Sequence, residues 1–298
     1  MTTETGREAP EIAAGTYSLR AAKRARIIAW VTRLLDRMWF SRDDPTRPVR
    51  LHWTPELMDQ FWNGIARTRL VELSFSRLGG KALIAAIAHL LPKDGRILDF
   101  GAGDGDLIEL MCARGLHVAA YEPSEGRSQN LQKRLSGHPG FLGTVNAEST
   151  EPFDVVMLVE VIEHILEEQL DNTLKSLAAF TREGGILIVT TPNNEDLDLN
   201  MAYCPVSNSL FHRWQHVRSF THESLVGLLA QYSFEELVTH QLEFKDDLYV
   251  PYDEIWGSPG TSPLLPHMLE LRANRPTYAG SGMGLVYIGR RLGRDEIP

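Results

Sequence analysis

The sequence predicts an α/β domain organised around a doubly wound, mostly parallel sheet. Three observations carry the prediction: short apolar runs, helical segments placed between them from Arg96 onward, and a glycine-rich turn closing the first run. Continuous apolar runs mark strands covered on both faces. Strands that alternate with helices pair in parallel, and their crossovers lay helices on both sides of the sheet. A chain of 298 residues suffices for one large domain, or one domain with an added segment.

Residues 1–14 are polar and acidic, lack an apolar core and a cleavage site, and read as a frayed tail. Residues 17–40 read as a helix with Ile27, Ile28, Val31, Leu34, Leu35 and Met38 on one side. Arg20, Lys23, Arg24, Arg26, Arg33 and Arg37 face a single acid, Asp36, on the other. Such a basic helix, carrying Trp30 and Trp39, either packs on the catalytic domain or makes a peripheral contact with an anionic membrane. This divides the chain into an N-terminal extension, residues 1–50, and a main domain, residues 51–298.

Within the main domain Thr54 is a good N-cap for a helix through Met58, Phe61, Trp62 and Ile65. A further helix covers residues 81–91. The predicted strands then occupy residues 96–100, 117–121, 154–159, 186–191, 233–244 and 284–289. Helices are expected at 104–114, 125–135, 163–181 and, capped by Thr221, through Leu225, Leu228 and Leu229. Residues 200–222 form a loop that would cap the pocket. Residues 246–281 are a long insertion with Tyr249, Tyr252, Trp256 and a short helix near 263–271; it would shape the acceptor side.

The net charge is −9 and only two cysteines occur, Cys112 and Cys204. The charge argues against a protein that holds nucleic acid by its overall field. Two cysteines exclude a disulfide framework and a four-cysteine zinc site, which suits a reducing cytosol. No apolar run is long enough to span a bilayer.

The strand at 96–100 runs directly into Gly101-Ala102-Gly103-Asp104-Gly105. Glycine lets the backbone turn sharply and lets a ligand approach closely. A dinucleotide fingerprint would place a third glycine where Asp106 stands, so a pyrophosphate would meet negative charge. Asp99, Asp104 and Asp106 instead suit a ligand bearing cationic groups. Glu122, at the carboxyl end of the next strand and followed by Pro123, can accept both hydroxyls of a ribose.

At these residues the chain resembles the class I S-adenosylmethionine-dependent methyltransferases. The matching stretches are 97–105, 118–123, Asn146-Ala147-Glu148, 153–164 and 184–193, in the family's order. The resemblance implies a Rossmann-like sheet of about seven strands with the last antiparallel. It also implies that Asp99, Gly101, Ala102, Gly103 and Asp104 line the methionine end of the cofactor. Glu122 and Pro123 would hold the ribose, and Ala147 and Glu148 would flank the adenine. Glu160, at the crevice, would face the donor.

The predicted strand at 154–159 runs into Glu160-Val161-Ile162-Glu163-His164. Two carboxylates and an imidazole can converge within one helical turn if strand gives way to helix there. Such a set suits Mg²⁺ or another divalent cation. The run resembles that of the ubiquinone-biosynthesis O-methyltransferases and, with a histidine ahead of an aromatic-Thr pair, that of bacterial small-RNA terminal 2′-O-methyltransferases. The resemblance implies Glu160, Glu163, His164 and His216 as metal ligands. Gln215 departs from the RNA enzymes, which place an acid there. Without a metal, His164 or His216 would serve as general base, with Glu163 ordering the loop. Cys204 with His212 is a weaker ligand pair. Either route points to oxygen as the methyl acceptor, on a small molecule, lipid or glycan. An RNA acceptor and a catalytically inactive binding module are the competing expectations.

Overall fold

The computed structural model describes residues 46–146, 149, 151–249 and 265–296. The expected helix at 17–40, the adenine-flanking Ala147 and Glu148, and the insertion aromatics Tyr252 and Trp256 lie outside them.

The main sheet has eight strands: β2 (Arg96–Phe100), β3 (His117–Tyr121), β4 (Phe141–Thr144), β5 (Phe153–Val159), β6 (Thr181–Pro192), β9 (Phe234–Leu242), β10 (Tyr278–Ala279) and β11 (Gly284–Arg291). Their spatial order is β10-β9-β11-β6-β5-β2-β3-β4. β2 pairs in parallel with β3 and β5, and β5 with β6. Only the pairings of β11, with β6 and with β9, are antiparallel. The order reverses at β2, where the chain moves outward to β3 and β4 and then returns to β5. That switch point opens a crevice at the carboxyl ends of β2 and β5.

The helices follow the expected spacing. α1 (Pro55–Ala66) starts at Thr54, whose hydroxyl accepts from Leu57 N–H at 3.3 Å. α2 (Gly80–Ile87) is almost wholly buried. α3 (Asp106–Cys112) and α4 (Glu125–Leu135) follow β2 and β3, and α5 (Glu167–Phe180) follows β5. α6 (His222–Ala230) begins in a reciprocal capping box between Thr221 and Ser224. α7 (Pro266–Arg272) is the short helix of the insertion. Two apolar clusters cover the two faces of the sheet. One holds Leu83, Ile97, Met111 and Met157, and the other Leu98, Leu158, Leu177 and Phe234.

Several boundaries differ from the sequence reading. α3 starts two residues later than expected because Gly105, at φ 82°, is its left-handed N-cap. β6 begins at Thr181 rather than 186, across an irregular stretch that carries Gly184 at φ 71°. β4 was not expected; it is a four-residue edge strand with Gly143 inside it, so its apolar signal is weak.

By internal contacts, residues 46–51 group with 198–212, and the remaining described residues form the second unit. The smaller unit is a three-stranded sheet, with β7 (Met201–Cys204) antiparallel to β8 (Ser209–His212) and β1 (Val49–Arg50) parallel to β8. Much of the expected capping loop is therefore a hairpin. Its register pairs Met201 with His212 and Cys204 with Ser209, so Cys204 and His212 stand at opposite ends and the Cys–His ligand idea fails. Among the described residues no helix is long and apolar enough to cross a membrane.

β9 buries a histidine. His240 is 1% exposed, and burial, with His89 alongside, pushes its pKa down to about 4. A depressed histidine pKa favours the neutral fold. Its contribution is present above about pH 6.5, the unfolded value, and is lost as pH falls toward 4. The unfolding free energy from urea titration should therefore fall across that window, by on the order of 3 kcal/mol for this group. His240→Leu should flatten the drop; an unchanged slope in the variant would assign acid sensitivity to other groups.

Candidate active site

At the end of β2 the chain reverses through three left-handed glycines, Gly101 (φ 84°), Gly103 (φ 57°) and Gly105 (φ 82°). A Cβ on Gly101 would stand 2.7 Å from Val161 Cγ2. The Gly101 and Ala102 amides donate to the Tyr121 carbonyl at 2.7 and 3.1 Å, fastening the turn to the end of β3. One residue on, Glu122 accepts from the Gly103 amide through Oε2 at 2.8 Å and from the Ser124 amide through Oε1 at 3.1 Å. The glycine turn and the ribose-holding carboxylate expected from the sequence thus meet.

Burial raises the pKa of Glu122, and Arg127 with the two amides opposes that rise. Asp99 is 2% exposed, and burial followed by the charge of Glu122 pushes its pKa up to about 7. Arg127 lies over the turn: a Cβ on Gly103 would come within 2.7 Å of Arg127 Nη2, and Arg127 Nε is 3.9 Å from Asp104. Asp106 is engaged by Arg77 at 3.0 Å and Arg134 at 2.9 Å. The view of an acidic loop selecting a cation therefore needs correction. Its acids are paired with arginines, leaving Glu122 and Asp99 as the carboxylates at the strand ends.

The second cluster follows β5. Glu160 sits at φ 51°, a left-handed value that costs on the order of 1–3 kcal/mol in a non-glycine residue. Its amide donates to the Thr190 carbonyl and hydroxyl, both at 3.1 Å, and its Oε1 accepts from Thr190 Oγ1 at 2.8 Å. Glu163, 1% exposed, accepts from Thr191 Oγ1 at 3.0 Å. Residues 160–166 form a turn rather than the expected start of a helix, which begins at Glu167. The two glutamates are moored to adjacent threonines of β6, and the left-handed Glu160 interrupts any helical ladder.

Residues 213–221 close against this turn. Val217 N–H donates to the Glu163 carbonyl at 2.9 Å, and Gln215 Nε2 to the His164 carbonyl at 3.0 Å. As a result Glu163, His164 and His216 bring one ligand atom each to within 4.8 Å of one another. Three of the four expected metal ligands converge. Glu160 is not in the set, although its charge helps raise Glu163. Burial comes first in raising both acids, Glu160 to about 7 and Glu163 well above the carboxylate range.

The sequence pattern gave no sign of Arg127, Glu195 or Trp62 as site residues. Glu195 accepts from His216 Nδ1 at 2.5 Å; an acid shortly after β6 is the one available hint. Arg127 stands in the first turn of the helix after Glu122, a position that faces the crevice in this topology.

A family model described as Methyltransferase domain matches residues 74–240, more than half of the chain. The chain belongs to that methyltransferase family. This methyltransferase is 30% identical over 188 residues to a ubiquinone biosynthesis O-methyltransferase of Rhizobium johnstonii, covering 61% of this chain and 73% of the relative. It is 32% identical over 137 residues to the protein of the same description from Rhizobium rhizogenes, where it spans 54% of the relative and 44% of itself. Among solved structures, the Burkholderia thailandensis 1,6-didemethyltoxoflavin-N1-methyltransferase matches with TM-score 0.50 at 16% identity, over 85% of this chain and 99% of that one. The complex between the Haloferax volcanii Trm112 methyltransferase activator and its methyltransferase contains a chain matching with TM-score 0.52 at 15% identity, over 79% of this chain and 99% of that one. Both establish the fold. The family fixes the coarse activity: transfer of a methyl group from S-adenosylmethionine.

Two substitutions test the cofactor turn. Glu122→Gln should weaken S-adenosylhomocysteine binding about 5- to 150-fold in titration calorimetry, the loss for a charged hydrogen-bond acceptor of roughly 1–3 kcal/mol. Gly101→Ala, strained by its positive φ and by Val161, should weaken it further. Unaltered affinity in both would move the cofactor elsewhere.

Proposed function

We propose that the protein methylates a hydroxyl oxygen of a small-molecule, lipid-linked or glycan acceptor. The observation that carries the reading is the convergence of Glu163, His164 and His216 beside the carboxyl end of β5. A hydroxyl is a poor nucleophile until its proton is removed, so half-buried imidazoles next to a buried carboxylate favour an oxygen acceptor. S-adenosylmethionine, when bound, supplies an electrophilic methyl on a sulfonium.

The chain's own contribution is alignment and proton removal. The turn at Gly101–Gly105 and the Glu122 carboxylate would fix the adenosyl group, and the buried side chains of Asp99, Glu163 and Gln215 floor the site on its protein side. Positive charge vanishes as the methyl moves, and a dry site favours that loss. Glu195, bonded to His216 Nδ1, would fix the tautomer and orientation of that ring. His164 or His216 then takes the acceptor proton.

A divalent cation fits the same residues. Glu163 Oε1 is buried with no hydrogen-bond partner among the described residues, a costly arrangement for a carboxylate. Glu163, His164 and His216 would hold the ion, and its charge would lower the acceptor pKa. The hard oxygen with two imidazoles accommodates Mg²⁺, Mn²⁺ or Zn²⁺. The two O-methyltransferase relatives support the oxygen acceptor. The net charge of −9 disfavours an RNA chain in that role, and the intact cofactor turn disfavours an inactive module. The basic, tryptophan-bearing sequence at 17–40 fits an acceptor presented at a membrane face.

The test pairs acceptor chemistry with metal binding. Radiolabelled methyl from S-adenosylmethionine should enter catechol and not ortho-phenylenediamine, and Glu163→Gln should lower that transfer at least 100-fold. Calorimetric titration of the S-adenosylhomocysteine complex with Mn²⁺ should give one site, absent in Glu163→Gln. Label in the diamine alone would replace oxygen by nitrogen; full transfer in EDTA with no Mn²⁺ site would leave proton removal to histidine.

A further inference from the structure

α1 contains no buried residue, yet polar and aromatic contacts hold it against both halves of the site. At its first turns Asp59 accepts from Ser124 Oγ at 3.1 Å, and the Ser124 amide is one of the two donors to Glu122. One turn later the Trp62 indole N–H donates to Gln215 Oε1 at 2.9 Å. Gln215 is fully buried, holds a left-handed φ of 63°, and passes its own Nε2–H to the His164 carbonyl at 3.0 Å. The Trp62 ring meets the His164 ring edge-on, with centroids 4.9 Å apart, and His164 meets His216 at 4.8 Å. The Arg127 guanidinium, which covers Gly103, lies 6.0 Å from the Trp62 ring centroid. Arg127 Nε is buried without a hydrogen-bond partner among the described residues.

We propose that Trp62 and Gln215 form a latch coupling the cofactor half of the methyltransferase site to its acceptor half. Gln215 spends both ends of its amide on the connection: the oxygen fixes the indole and the nitrogen fixes the turn that carries His164. Arg127 is the cofactor-side sensor. A ligand placed between the Gly103 turn and Glu122 has to share space with its guanidinium, and the ring of Trp62 is the surface against which that guanidinium rests. Because α1 is only half-buried, with no residue fully enclosed, a small displacement of Arg127 is enough to tighten or release the helix. The coupled states differ by the strength of these contacts, so ligand in one half biases order in the other. Trp62 and Gln215 are positioning residues, acting through His164 and Arg127. The inference rests on the cofactor assignment above.

Wild-type binding of S-adenosylhomocysteine, measured by calorimetry, tests that assignment by itself. The latch is tested by a double-mutant cycle with Trp62→Phe and Gln215→Leu, reading S-adenosylhomocysteine affinity and the ligand-induced change in tryptophan emission. Each single variant should lose about 3- to 10-fold in affinity, and the double variant should lose no more than the worse single one. The emission change should fall strongly in Trp62→Phe and also in Gln215→Leu, where the indole is still present. Apo melting temperatures of both variants set a measuring temperature at which each is folded, so that the affinity losses read coupling. Additive losses, or an emission change in Gln215→Leu equal to that of the wild type, would overturn the latch. If Gln215→Leu does not fold, Gln215→Glu replaces it: a carboxylate keeps the bond from Trp62 and repels the His164 carbonyl, so affinity should again fall.

Discussion

The carboxylate of Glu122 is the constraint on which the site depends. It takes two backbone amides, from Gly103 and Ser124, and so joins the turn after β2 to the first residues of α4. A half-buried carboxylate with a raised pKa would be unfavourable there without those donors and Arg127. With them it is held at one place and orientation at the switch point of the sheet. Left-handed glycines and parallel pairing of β2 with β3 exist, in effect, to bring this acid within reach of the turn.

The acceptor side obeys a different logic. Glu160 and Glu163 are moored on Thr190 and Thr191, neighbours on β6, and the turn between them is closed by residues 215–217. The result is a cluster of acids raised by burial, facing two histidines. Charge of this kind is costly in a dry site and persists because the β5–β6 frame over-determines it. α1 then spans the two halves through Asp59 and Trp62.

The cofactor half was legible because each requirement there writes a residue type. Positive φ demands glycine at Gly101, Gly103 and Gly105, and a topologically fixed strand end demands an acid at Glu122. The strand spacing was likewise legible from apolar periodicity, whereas the antiparallel β11 followed only from the resemblance to the methyltransferase family. The acceptor half was only partly so. Spacing alone could not show that Glu160 turns left-handed and stands outside the convergence of Glu163, His164 and His216. Nor could it show Gln215 reaching Trp62, a contact across 153 residues of sequence. Hairpin β7–β8 was hidden because its strands are four residues long and half exposed. Asp104 and Asp106 misled for the opposite reason: their arginine partners come from elsewhere in the chain, Arg77 ahead of α2 and Arg127 and Arg134 on α4.

A crystal structure of the complex with S-adenosylhomocysteine tests the central claim most directly. The ribose hydroxyls should lie within hydrogen-bond distance of the two Glu122 oxygens, with the homocysteine portion running over Gly101 and Gly103 toward Glu160. Electron density for the ligand at any other part of the fold, with Glu122 still bound only to its amides, would contradict it.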